Sequence, residues 1–241
     1  MSRFWSFLTL LSLVFAMAIA GCGDDTITVA PSQQWPEGIQ VVGVGSTFGK
    51  PDVALLSMGV SVEEASVKEA KAEAAAAMQK VLDSLKVNSV AEEDIQTQSF
   101  TIQPQYNYTD GKQVLRGYLV TNMASAKVRN MDAVGEIIDD AADAGGDLLR
   151  INSITFTIDD PKELQSQARI EAMKDARDRA EILAKEGEVK LGKPISISDT
   201  VYSTNPSAYD SEAVKGGETT PVEPGLLKVT VTVTVVYTIE E

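Results

Sequence analysis

The clearest periodic pattern lies near the C-terminus. Leu227, Val229, Val231, Val233, Val235, Tyr237 and Ile239 alternate with Lys228, Thr230, Thr232, Thr234 and Thr238. A period of two puts each set on its own side of an extended chain, so this is a strand with one face toward a core. Ala54, Leu56, Met58, Val60 and Val62 alternate in the same way with Ser57, Gly59 and Ser61, as do Ile154, Phe156 and Ile158 with Thr155 and Thr157. Residues 39–47, IQVVGVGST, are apolar and β-branched, and Gly43 and Gly45 mark places where another backbone can come close. Residues 97–108 and 112–128 predict two long strands. Asp110-Gly111 between them favours a tight hairpin turn, which sets Tyr106 opposite Leu115 and Tyr108 opposite Gln113. Residues 195–201 predict a further strand, and 203–225 a long polar loop with three prolines.

Three segments switch to helical spacing. Ser66-Val67-Lys68-Glu69 reads as a capping box, and the helix after it, to about Lys86, turns Ala70, Ala74, Met78, Val81, Leu82 and Leu85 inward. Residues 131–144 predict a short acidic helix with Val134, Ile137, Ile138 and Ala141 inward, closed by Gly145-Gly146. Asp160-Pro161-Lys162-Glu163 predicts a helix start with Asp160 as N-cap, Pro161 first and Glu163 third. That helix runs to about Glu186. Ala168, Ala172, Ala176, Ala180 and Ala184 form a ridge without bulk along it. The ridge can lie on the protein's own sheet or admit a flat neighbour. Strands dominated by hairpins, with helices between, predict an α+β fold: a mixed, largely antiparallel sheet with helices packed on one face.

Composition narrows the chemistry. The chain has 21 Lys and Arg against 35 Asp and Glu, a formal net charge of −14. Such a body lacks the clustered cations that phosphate backbones and anionic lipid surfaces require, so no nucleic-acid partner is expected. There is no histidine and only one cysteine. His-based triads, His metal sites and His acid–base catalysis are therefore excluded. Carboxylate pairs, a Ser–Lys arrangement or an all-oxygen metal site remain. No spaced motif supports them, and the expectation is a non-enzymatic protein with no cofactor.

The cysteine has a special place. Arg3 precedes an uncharged stretch, 4–20, and Ala20-Gly21 lead directly into Cys22. A basic start, an apolar centre and a small-residue exit describe a secretory signal peptide. Ile19-Ala20-Gly21-Cys22 resembles the lipobox of bacterial lipoproteins. The resemblance implies cleavage before Cys22 and its acylation, several chains being needed for stable anchoring. The expected organisation is a signal peptide at 1–21, a lipidated Cys22 and polar tether at 22–37, and one domain at 38–241. Cys22 is the expected lipid-attachment site and the route to a membrane partner, placing the protein in a bacterial cell envelope.

Other tempting side chains have plainer readings. Asp139, Asp140, Asp143 and Asp147 lie on a helix and its exit without the glycine-punctuated loop of a calcium site, and read as a solvated acidic face. Asp94, before Ile95-Gln96-Thr97, reads as a turn residue bonding nearby backbone amides. Tyr106, Tyr108 and Tyr118 cluster on the expected hairpin. They are the candidate ligand or partner contacts, with cross-strand packing as the alternative.

A family resemblance runs through these landmarks. Val42-Gly43-Val44-Gly45, Pro51-Asp52, Asp94-Ile95-Gln96-Thr97, Tyr106, Gly117-Tyr118, Ala144-Gly145-Gly146, the Ala168-Arg169 to Leu183-Ala184 helix and Leu191-Gly192 follow one another in order. This pattern resembles the SIMPL-domain family over about residues 38–240. The resemblance implies an envelope protein, linked in some members to stress tolerance and able in some to form large rings, with no catalytic motif. The expectation is a homo-oligomeric scaffold or interaction module. The rival is a binding protein for a small molecule or peptide, using the hairpin or the loop at 203–225.

Overall fold

The computed structural model describes residues 37–207 and 220–240, so Cys22, its leader and most of the polar loop lie outside the described residues. Among the described residues, seven strands and three helices follow in chain order. They are β1 (Ile39–Gly49), β2 (Val53–Glu64), α1 (Val67–Val87), β3 (Ile95–Thr109), β4 (Lys112–Val128), α2 (Val134–Gly145), β5 (Leu149–Thr157), α3 (Lys162–Glu186), β6 (Lys190–Ser207) and β7 (Leu226–Glu240). Short 3₁₀ turns occupy Glu92–Asp94, Met131–Ala133 and Gly146–Leu148.

The α+β class holds, but the strands divide between two sheets. One has the order β1-β7-β6, the other β3-β4-β2-β5. Every neighbouring pair is antiparallel. β1 does not pair with β2, its neighbour in sequence. It pairs with β7, Ile39 opposite Tyr237 and Gly49 opposite Leu227. Alternation shows which side of a strand is buried; it carries no information about which sheet the strand joins.

Each sheet has its own core. In the first, Val41, Val231, Val233, Val235 and Tyr237 pack against Ala168, Ala172, Ala176 and Ala180. In the second, β2 and β4 residues such as Leu56, Met58, Val60, Val120 and Ala124 meet Ala70, Ala74, Val81 and Leu85 of α1 and Val134, Ile137 and Ala141 of α2. The inward phase of all three helices and of β7 matches the sequence pattern, except that Ile239, near the end of β7, is exposed.

The alanine ridge is accounted for inside the molecule. All five alanines from Ala168 to Ala184 are buried. A Cβ added to Gly43 would come within 3.0 Å of the Ala172 carbonyl and the Ala176 amide, and one on Gly45 would do the same to Ala168 and Ala172. Glycine on the strand and alanine on the helix together let two backbones touch. The outer edge of β1 is closed at its middle by the same helix, where Asp175 Oδ2 accepts the Val44 N–H at 2.8 Å. Arg179 bonds the same carboxylate, and these two donors hold Asp175 below the usual carboxylate range.

Local starts and turns follow from side chains. Ser66 Oγ accepts the Glu69 N–H at 3.3 Å, and its own hydroxyl donates to Glu69 Oε2 at 2.7 Å. α3 begins one residue later than the sequence suggests, with Pro161 as the N-cap residue, while Asp160 Oδ1 accepts the Lys162 N–H at 3.2 Å. Asp110 (φ 51°) and Gly111 (φ 74°) are both left-handed, as a two-residue hairpin turn of matching twist requires. β6 extends to Ser207, so the expected loop starts later than residue 203.

Candidate functional site

Two places concentrate side chains that could act: an ionic corner and the exposed face of the β3–β4 hairpin. The corner gathers residues from four separate connections. Asp94 closes the 3₁₀ turn before β3, Lys127 and Arg129 stand at the end of β4, Asp159 lies between β5 and α3, and Asp52 lies between β1 and β2. Arg129 grips Asp94 with two bonds, Nε to Oδ2 at 2.9 Å and Nη2 to Oδ1 at 3.1 Å. Its Nη1 donates to Asp159, which also accepts from Lys127 Nζ. The Asp159 N–H donates to Asp52 Oδ1 at 2.8 Å.

The charges set each other's state. Hydrogen bonds to Asp94 and then Asp159 raise the Arg129 guanidinium above its ordinary value. The Lys127 ammonium and then Arg129 hold the Asp159 carboxyl below the usual range. Beside the corner is a depression of about 440 Å³ lined by Asn88, Ser89, Asp94, Lys127, Arg129 and Asn130 among others. A carboxylate bonded twice to one guanidinium is fixed in position by it, which suits a clamp. Asp94 therefore differs from its sequence reading: its partner is a side chain 35 positions away and not a nearby amide. Arg129, Lys127 and Asp159 carry no sequence signal of their own, because only folding brings them together.

The acidic run of α2 also has structural partners. Asp139 accepts the backbone N–H of Thr220, at 3.0 Å, and its hydroxyl, and both bonds lower the Asp139 carboxyl. Asp140 accepts from Asn88 Nδ2 at 2.8 Å. Among the described residues no three Asp, Glu, His or Cys side chains stand where they could hold a metal ion.

The hairpin is the more open place. Its register is the one the turn predicts, with Tyr106 opposite Leu115 and Tyr108 opposite Gln113. Tyr118 stands opposite Pro104 on one side and Glu64 on the other. Residues 99–109 alternate without interruption, so Phe100, Ile102, Pro104, Tyr106 and Tyr108 share one face. The register shift after Gln105 inserts Arg116 on β4 and brings Leu115 onto that face. Ile102 pairs with buried Val120, so this is the side that carries the helices. α1 packs on β2 and β4; Ile95 at the start of the outer strand β3 still reaches that core, while the same face from Phe100 to Tyr108 further along is exposed. Phe100, Ile102, Tyr106, Tyr108 and Leu115 are all exposed. The residue pattern singles out the three tyrosines and sets Leu115 opposite Tyr106; Phe100 and Ile102 join them only through the even-numbered alternation from 100 to 108.

The family model for SIMPL, a protein of unknown function (DUF541), matches residues 39–237. The chain is 29% identical over 199 residues to the uncharacterized protein YggE of Escherichia coli K12, covering 82% of this chain and 78% of that protein. It is 34% identical over 173 residues to the 26 kDa periplasmic immunogenic protein of Brucella melitensis, covering 68% and 67% of the two chains. Uncharacterized protein YggE of Edwardsiella ictaluri matches at 29% over 222 residues, 86% and 90% of the two chains.

Proposed function

The chain belongs to the SIMPL family, and from that premise we propose that it is a lipid-anchored, non-enzymatic protein of the bacterial cell envelope, working as a self-associating interaction module. One observation carries the reading. The described surface pairs most of the charges at its ionic corner with one another, while leaving a run of aromatic and aliphatic side chains open on the β3–β4 hairpin. Exposed apolar surface of that kind serves contact, not bond-breaking. The envelope location is supported by the leader before Cys22 and by the name of the Brucella relative, a periplasmic immunogenic protein. The anchor is Cys22, and the contact side chains are Tyr106, Tyr108 and Tyr118 with their neighbours. A part in stress tolerance rests on family resemblance alone, and survival of a deletion strain under envelope stress tests it.

Light scattering after size exclusion of the detergent-solubilised protein tests the module. The expected result is a mass above that of one chain at micromolar concentration. A monodisperse single chain across a hundredfold dilution range overturns self-association.

A further inference from the structure

We propose that the helix-side face of the β3–β4 hairpin is where two copies of this chain meet, face to face about a two-fold axis; the inference rests on the self-association just proposed and gives it a site. A large side chain offers on the order of 150–250 Å² when fully bared. Phe100, Ile102, Tyr106, Tyr108 and Leu115 are 49%, 40%, 45%, 77% and 45% exposed. They therefore present on the order of 500 Å², near the top of the roughly 300–600 Å² that the largest patch on a monomer shows. Two such patches pressed together bury about 1,000 Å², the size at which a specific interface begins.

Charge selects the occupant. The five side chains, with Pro104, Gln113 and Tyr118 beside them, carry no charge, although 23% of the chain is Asp, Glu, Lys or Arg. Loss of charge together with gain of Tyr and Phe marks the centre of an interface. A second copy brings its own net charge of −14, so two copies repel wherever their ordinary surfaces meet. The centre of the hairpin face lets them touch without opposing carboxylates, with Glu64 at its rim beyond Tyr118. A two-fold contact needs a patch that complements itself, and an uncharged apolar patch can meet its own copy.

The face, and not the strand edge, makes the contact. β3 is an outer strand, and Pro104 in its middle has no N–H to offer a neighbouring strand. In the other sheet β1 is closed at Val44 by Asp175. The alanine ridge is already covered by β1 and β7.

The test uses the full-length detergent-solubilised protein and three variants. Ile102→Asp and Tyr106→Asp place charge on the face; Thr101→Asp places the same charge on the opposite side of β3. Both face variants are expected to weaken association at least tenfold with unchanged far-ultraviolet circular dichroism, and Thr101→Asp is expected to leave it within twofold. Ile102→Cys and Leu115→Cys supply an independent readout, since a short bismaleimide should join two copies through these positions and fail with Val42→Cys on the other sheet. Association that survives both face variants, or equal cross-linking through Val42→Cys, overturns the site while self-association stands. A wild-type protein that remains a single chain overturns both.

Discussion

Gly43 of β1 and Ala172 of α3 meet backbone to backbone. No side chain fits between them, because a Cβ on Gly43 would come within 3.0 Å of the Ala172 carbonyl and the Ala176 amide. The closeness sets how tightly α3 lies on its sheet. Gly43→Ala should therefore push the helix off β1. We expect a loss of about 3 kcal/mol, the upper end for an overpacked core. Gly111→Ala meets open space but keeps a left-handed φ, so it should cost only about 1 kcal/mol. Urea melts compare the two, and a Gly43→Ala protein as stable as wild type would show that α3 can lift freely.

The last strand offers a test of phase. Val233 is 1% exposed and faces the alanines of α3; Thr232, next to it, points to the other side. Val233→Asp should cost several kcal/mol by burying an unpaired carboxylate, while Thr232→Asp stays below about 1 kcal/mol. Similar denaturation midpoints for the two variants would contradict the assigned faces.

Acid should loosen the ionic corner. Asp159 has a folded-state pKa lowered by Lys127 and Arg129. Its contribution is present above the unfolded value of about 3.9 and is lost as pH falls through the lower folded value. Arg129→Met removes the partner, so its melting temperature should fall below that of wild type at pH 7. The gap should begin to narrow below about pH 4 and close as pH falls through the lower folded value. A gap that is constant with pH would mean the corner acts through packing alone.

The plug on β1 has its own consequence. Asp175→Ala frees the Val44 N–H at an outer strand. We expect a loss of about 1 kcal/mol and faster aggregation on concentration, read by turbidity, because an open edge recruits other strands. Unchanged turbidity would show that the rest of the edge is protected by other means.

Cys22→Ser should abolish incorporation of a labelled fatty acid and release the protein from the membrane fraction. Label that persists in the variant would place the acyl group elsewhere.

Much of this protein can be read from residue order alone. The alternation in β2 and β7, the inward faces of all three helices, the Ser66 cap and the Asp110-Gly111 turn with its Tyr106–Leu115 register are local, set by strand and helix periods and by turn stereochemistry. Gly43 and Gly45 announced a close approach without naming what approaches. Tertiary structure decided the rest. β1 crosses to β7 instead of joining β2, because sheet membership depends on contacts about 190 positions apart, which no local pattern encodes. The same long-range closure turned the alanine ridge into core, drew Asp94, Arg129 and Asp159 together, and left β3 from Phe100 to Tyr108 outside the core that Ile95 still reaches, so that its apolar side chains there stayed in the open.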